Sequence, residues 1–241
     1  MWDFFCNFVR FLANCLLKQK YKAIMKNIAF IINPMSGTQN KRRLPKVINE
    51  LLDKSQWLEN MVFTEHVGHA LVLAKQYATM GFDAVVAVGG DGTVREVAEG
   101  VAGSHSALGI IPMGLTNTLA RHLGIPLRGN ATITWLNRCE PVLCDSVEVT
   151  IDDAKPFTVM TGVTAGETQF VNCAQGIKTS IQDGVIEMLR AESAEQREEG
   201  KIFDCAYNGK VIADSEEYDA ERNVKVRVKE DSVYILAQKR F

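Results

Sequence analysis

The pentapeptide Gly89-Gly90-Asp91-Gly92-Thr93 is the most chemically suggestive stretch of this 241-residue chain. A polyphosphate brings several negative charges to one place and needs closely spaced backbone N–H donors. Glycines meet that need, because they tolerate positive φ and let the backbone approach a ligand with no Cβ in the way. Asp91 would repel a phosphate, so it suits one of three other tasks: acting through a metal ion, holding a ribose hydroxyl, or fixing the loop from behind. Thr93 suits the cap of a following helix, whose N-terminus adds positive partial charge. A glycine-rich turn alone is weak evidence, since an ordinary tight turn reads the same way. Here the flanks have the periods a phosphate site requires. Ala84–Val88 reads as a buried strand, and Val94, Val97, Ala98 and Val101 fall on one face of a helix.

The elements around the turn repeat this plan. Ile28–Ile32 is a β-branched and aromatic run stopped by Asn33-Pro34, and Leu108–Ile111 is a third strand stopped by Pro112. Met61–Thr64 reads as a short strand. Leu44–Leu52, Ala70–Ala78 and Thr118–Leu123 space their apolar residues as helices, with Gly81 and Gly124 beyond the ends of the last two. Alternating strands and helices with short connections predict an α/β domain with a parallel sheet covered on both faces. In such sheets ligands gather at the carboxyl ends of the strands. Three turns should therefore converge there: Asn33–Gly37, Gly89–Thr93 and Pro112–Asn117. Beyond about residue 141 the pattern changes. Val147–Ile151, Phe157–Thr161, Val224–Val228 and Val233–Leu236 predict a smaller, strand-rich antiparallel lobe, and the charged stretch Ser193–Lys201 reads as a solvated loop or helix end. The predicted divisions are residues 1–24, 25–143 and 144–241.

With those turns in view, residues 26–143 resemble the catalytic domain of the diacylglycerol kinase family, which also includes sphingosine and ceramide kinases, and the likeness is to its bacterial members. The residues that carry it are Asn33-Pro34-Met35-Ser36-Gly37, Thr64 with Gly68, Gly89–Thr93 with Glu96, and the long run Gly109–Arg121, all in order at sensible spacings. The resemblance implies an NAD kinase/diacylglycerol kinase-like fold and an ATP-dependent, Mg²⁺-assisted transfer to a lipid hydroxyl. It places nucleotide binding on Asn33, Ser36, Gly37, Thr64, Gly89, Gly90, Asp91, Gly92, Thr93, Glu96, Gly114, Thr116 and Asn117, gives Asp91 a catalytic part, and makes Asp183 a metal-organising carboxylate. Read without the family, Asp183-Gly184 is an ordinary turn between apolar segments.

Departures from the family are visible too. Leu115 stands where a hydroxyl residue usually follows the glycine of the third turn, and Arg95 where asparagine is common. Only 98 residues follow Leu143, against about 150 in a usual second lobe, a normal domain size. The family's Asp-Gly-Glu element, which supplies the catalytic base, finds its best match in Asn208-Gly209-Lys210. Lysine, with an unperturbed pKa of about 10.4, stays protonated near neutral pH and accepts no proton. Asp204, Asp214, Glu216 and Glu217 lie near enough in sequence to substitute. The rival to a lipid kinase is therefore a catalytically impaired nucleotide- or lipid-binding homologue. An NAD kinase shares the glycine turn, but the run Pro112–Arg121 argues against one.

Composition narrows the partners. A net charge of −2 leaves no overall field to attract nucleic acid, although Lys41-Arg42-Arg43 is a local basic run. The six cysteines show no CxxC pair and fit buried thiols in a reducing cytosol. His66, His69, His105 and His122 form no metal set with a carboxylate pair. In residues 1–24 a narrow polar stripe opposes a greasy face of Trp2, Phe5, Val9, Leu12 and Leu16. It is too interrupted to span a membrane, and three readings stand: it lies in a membrane interface, it packs on the protein body, or Met25 is the true start. The expected setting is cytoplasmic, with peripheral contact to the inner membrane face where the lipid substrate lies; a homodimer is left open.

Overall fold

The computed structural model describes residues 25–37, 41–173, 180–190, 193–214 and 216–238. The amphipathic segment 1–24 lies outside them. The first part of the chain alternates as its hydrophobic periods require: β1 (Lys26–Ile32), α1 (Leu44–Leu51), β2 (Trp57–Phe63), α2 (His69–Thr79), β3 (Ala84–Gly89), α3 (Asp91–Val101), β4 (Ala107–Pro112), α4 (Thr118–His122) and α5 (Gly129–Leu136). The four strands pair in parallel in the order β2-β1-β3-β4. Successive side chains on a strand point to opposite faces. Ile28, Phe30, Ile32, Val86 and Val88 accordingly pack with Ile48 of α1 and Ile133 of α5. Ile31, Val85, Ala87, Leu108 and Ile110 pack on the other face with Ala74 of α2 and Val97 of α3. Burial on both faces explains why these strands read as continuous apolar runs.

The second part is antiparallel: β5 (Glu140–Ile151), β6 (Phe157–Val159), β7 (Gly162–Ala165), β8 (Thr168–Val171), β9 (Ile186–Arg190), β10 (Ser193–Gly200), β11 (Ile202–Ala206), β12 (Gly209–Ala213), β13 (Glu216–Ala220) and β14 (Asn223–Ala237). A six-stranded sheet runs β10-β9-β8-β7-β12-β13. It packs on the outer halves of β5 and β14 through Val147, Val149, Phe170, Met188, Val211 and Val226. β14 then returns to the first sheet, with Ile235 opposite Leu108 of β4 in parallel and the strand paired along its length with β5.

Two expectations change here. Ser193–Lys201 is not a loop: residues 193–200 form β10, antiparallel to β9, and a polar edge strand discourages further pairing. The two strands expected at Val224–Val228 and Val233–Leu236 are one strand with a register shift between Lys229 and Val233, where Asp231 takes φ 48°. Helix α5 was not foreseen. The division expected after residue 143 falls inside β5.

Candidate functional site

The three turns meet at the carboxyl ends of β1, β3 and β4, as the parallel arrangement demands. Asn33 leaves β1 with its N–H on the Val88 carbonyl at 3.0 Å, and its side-chain Nδ2 donates to Thr93 Oγ1 at 3.0 Å. Its Oδ1 accepts the N–H of Met35, and Ser36 Oγ donates back to the Asn33 carbonyl. Lys41, buried behind this turn, donates to the carbonyls of Pro34 and Ser36; burial pulls its pKa below the usual lysine value. Gly37 takes φ 59° and runs against the Met113 carbonyl, so the first turn is pressed onto the third.

Asp91 joins the second turn to the third. Its Oδ2 accepts the N–H of Asn117 at 2.9 Å and its Oδ1 that of Thr118 at 2.7 Å, which caps α4. Of the three tasks open to Asp91, this geometry carries the fixing of the loop. Asn117 sits at φ 50° and closes its own turn, Oδ1 accepting from the Gly114 N–H and Nδ2 donating to the Gly114 carbonyl. Gly90 and Gly114 touch backbone to backbone. Thr116 is exposed and lends its carbonyl to Arg121, while Leu115 is 87% exposed.

A cleft of about 410 Å³ opens beside the glycine turn, within the usual size of a small-ligand site. One end carries Asn33, Gly92 and Thr93, where the first-turn N–H groups of α3 have no helical partner. The other end carries Thr64, His66, Val67 and Ala70. Thr64 is held by its N–H on the Ile32 carbonyl at 2.9 Å. Glu96 also lines the cleft, yet both its oxygens accept backbone N–H groups, from Gly68 at 2.9 Å and Ala70 at 3.0 Å. It therefore caps α2 and shapes the far wall, and the α2 N-terminus offsets its charge. His66, given no role by the sequence, stacks on His69 with ring centroids 4.8 Å apart.

The second lobe contributes Glu216 to this cleft. Arg95 on α3 donates to Glu216 Oε2 at 2.6 Å and also reaches Glu99 at 3.4 Å, and the Tyr218 hydroxyl donates to the same Oε2 at 2.9 Å. Burial pushes the Tyr218 phenol up to about 12, so it remains a donor. The other Oε1 faces Gly92, where a Cβ would stand 3.1 Å away. By contrast, Asn208-Gly209-Lys210 does not line the cleft. Lys210 is exposed and paired with Glu217 at 2.8 Å and Asp219 at 2.9 Å, and these two hydrogen-bonded carboxylates raise its pKa. Of the four carboxylates near that tripeptide in sequence, Glu216 is the one that lines the cleft, three residues past β12. Asp214 lies at a second, shallower hollow with Thr118 and Cys173, wholly buried.

Asp183 is not brought to the cleft. It is exposed, and its Oδ1 accepts the N–H of Val185 in its own turn at 3.2 Å. Among the described residues no three His, Cys, Asp or Glu side chains cluster as a metal set. Cys144 and Cys173 are buried and Cys139 and Cys205 half-buried, and none of these four is in a disulfide; burial raises Cys139 to about 12.

A parallel sheet with three turns converging at its strand ends, joined to an antiparallel β-rich lobe, defines a two-part α/β fold. Residues 27–149, just over half the chain, match the family model described as the diacylglycerol kinase catalytic domain, and the chain belongs to that family. It is 39% identical over 105 residues to a diacylglycerol kinase of Bacillus subtilis (strain 168), covering 42% of this chain and 34% of that protein. A diacylglycerol kinase of Staphylococcus saprophyticus is 39% identical over 104 residues, with the same coverage. The matched segment thus spans about a third of the length of these relatives. In fold, the chain resembles the crystal structure of a diacylglycerol kinase from Bacillus anthracis str. Sterne, with TM-score 0.69 at 14% identity over 89% of this chain and 97% of that one.

Proposed function

We propose that the protein transfers the terminal phosphate of ATP to a hydroxyl of diacylglycerol or a similar lipid. One observation carries this reading: Asn33 and Thr93 of the first lobe and Glu216 of the second line one cleft over a glycine turn. Phosphoryl transfer needs positioning and charge neutralisation more than covalent chemistry. The first-turn N–H groups of α3 supply neutralisation, and Asp91 and Asn117 hold the turns that shape the cradle. Glu216 is the side chain placed to accept a proton from an acceptor hydroxyl.

The donor set also fits Mg²⁺, which binds through one or two carboxylates together with substrate phosphates rather than in an all-protein cage. Glu216 is the residue that would share it, and the bound ion would neutralise phosphate oxygens. Asp183 would serve only from outside the cleft.

The test is transfer of labelled phosphate from ATP to lipids in mixed micelles, comparing wild type with Glu216→Gln. Lipid-dependent transfer that falls roughly a hundredfold in the variant supports the reading. ATP binding with no transfer to any lipid would select the impaired homologue instead. Lys210, outside the cleft, lends that rival no support; its other two grounds are Leu115 and the 98 residues after Leu143. No helix among the described residues is long and apolar enough to cross a membrane, and the reading takes access to the lipid to be peripheral. Removing residues 1–24 is then expected to weaken vesicle binding and leave ATP affinity intact; unchanged vesicle binding would exclude that segment from the role.

A further inference from the structure

Glu216 poses an electrostatic problem. A carboxylate beside a triphosphate repels it, and this one faces the turn that holds the phosphates, with Oε1 toward Gly92. Repulsion between like charges a few ångströms apart is large wherever water is partly excluded. The other two cleft glutamates meet the problem differently: Glu96 is capped onto the α2 N-terminus, and Glu65 is exposed to water. Glu216 has a dedicated cation. Arg95 lies on α3 one turn in from the phosphate end, its side chain only 11% exposed, and joins Glu216 across the two lobes at 2.6 Å. Glu99 holds the other end of the guanidinium at 3.4 Å, and Tyr218 donates to the same Glu216 oxygen. The network turns Oε2 away from the cleft and leaves Oε1 toward it.

We propose that Arg95 is the counter-charge that lets the second lobe bring Glu216 to the phosphate turn. It is a positioning residue, acting on the nucleotide through Glu216. A purely structural ion pair would fix the lobes; a counter-charge also sets how strongly the cleft holds an anion. The proposal rests on the nucleotide-kinase reading above, because it needs a polyphosphate in the cleft.

The two roles separate in a binding experiment on the full chain in EDTA, where no Mg²⁺ bridges Glu216 to phosphate, titrating ATP against wild type, Arg95→Ala, Arg95→Lys, Glu216→Gln and the double variant Arg95→Ala/Glu216→Gln, with a thermal melt of each. Arg95→Ala strands a carboxylate beside the phosphates, so its ATP affinity should fall roughly tenfold. Adding Glu216→Gln should restore affinity to within about threefold of wild type, because the uncompensated charge is gone. Arg95→Lys should stay near wild type, and added salt should narrow the deficit of Arg95→Ala. Should the double variant bind as weakly as Arg95→Ala, or more weakly, the counter-charge role is wrong and the pair is structural. An Arg95→Ala protein that melts cooperatively and binds ATP like wild type overturns it equally. Wild type that binds no ATP overturns the nucleotide reading itself, and the role of Arg95 falls with it.

Discussion

Asp91 and Thr118 are joined across 27 residues of sequence by a 2.7 Å hydrogen bond, carboxylate to backbone N–H. With the second bond to Asn117, it makes the glycine turn and the start of α4 a single unit. Asp91→Ala leaves two backbone donors without their partner, a cost of about 1–3 kcal/mol for each such group that stays dry. The third turn should loosen, and ATP affinity should drop with stability. Asp91→Asn keeps one acceptor and should lie between wild type and Asp91→Ala in both a urea melt and an ATP titration. If Asp91→Ala lost turnover while both of those stayed at wild-type values, Asp91 would be acting on the substrates directly.

Gly114 makes a sharper case. A Cβ there would stand 2.6 Å from the Gly90 Cα and 3.1 Å from Asn117 Oδ1. Backbone lies on the far side, so nothing flexible gives way. Gly114→Ala should cost about 1–3 kcal/mol of stability and should weaken ATP binding by prising two turns apart. Gly103→Ala is the control: it carries φ 71° but has open space around it, and should affect stability without touching ATP affinity.

Charge reversal at Lys210 separates the two candidate locations of the base. Lys210 faces Glu217 and Asp219 on the solvent side of the β12–β13 hairpin. Lys210→Glu should leave turnover within about twofold of wild type, as for most surface changes. A rise in activity would restore the tripeptide as the base element and demote Glu216.

Asp214 offers a pH signature. It accepts from the N–H of Met160 at 2.7 Å, the N–H of Thr161 at 2.8 Å and the Thr161 hydroxyl. Burial nevertheless raises its pKa above the usual carboxylate value, with those donors pulling the other way. A carboxyl whose folded pKa is raised takes up protons on folding. Its stabilisation is complete below the unfolded value of about 3.9 and is lost as pH rises through the folded value. The stability advantage of wild type over Asp214→Asn should therefore shrink in urea melts as pH rises above about 4. An advantage that grows with pH would mean the three donors outweigh burial.

How much of this was legible in the sequence follows from which contacts are local. β1, β3 and β4 announce themselves because strands buried on both faces are unbroken apolar runs, and the turns after them because glycine, asparagine and proline mark sharp changes of direction. Convergence of the turns then follows from parallel pairing alone. Glu216 was visible only as one of four nearby carboxylates, since its partner Arg95 lies 121 residues earlier. The order Asp214, Glu216, Glu217 just before the last strand was the available signal, and the Asn-Gly turn ahead of it drew the match away. β10 was misread because its charges suit a loop and an edge strand equally well. Helix α5 escaped because Thr132, Thr134 and Asn130 blur its apolar stripe; Thr132 is buried by bonding to the Pro126 and Arg128 carbonyls.

The way β14 is shared has a consequence for synthesis and for engineering. Its far half fills the gap between β4 and β5, so the sheet that carries the glycine turn gains its fifth strand only when residues 233–237 arrive. Synthesis must reach residue 237 before that layer closes. A chimaera given a different lid would need two splice points, one within β5 and one within β14, with the final stretch kept from the original parent.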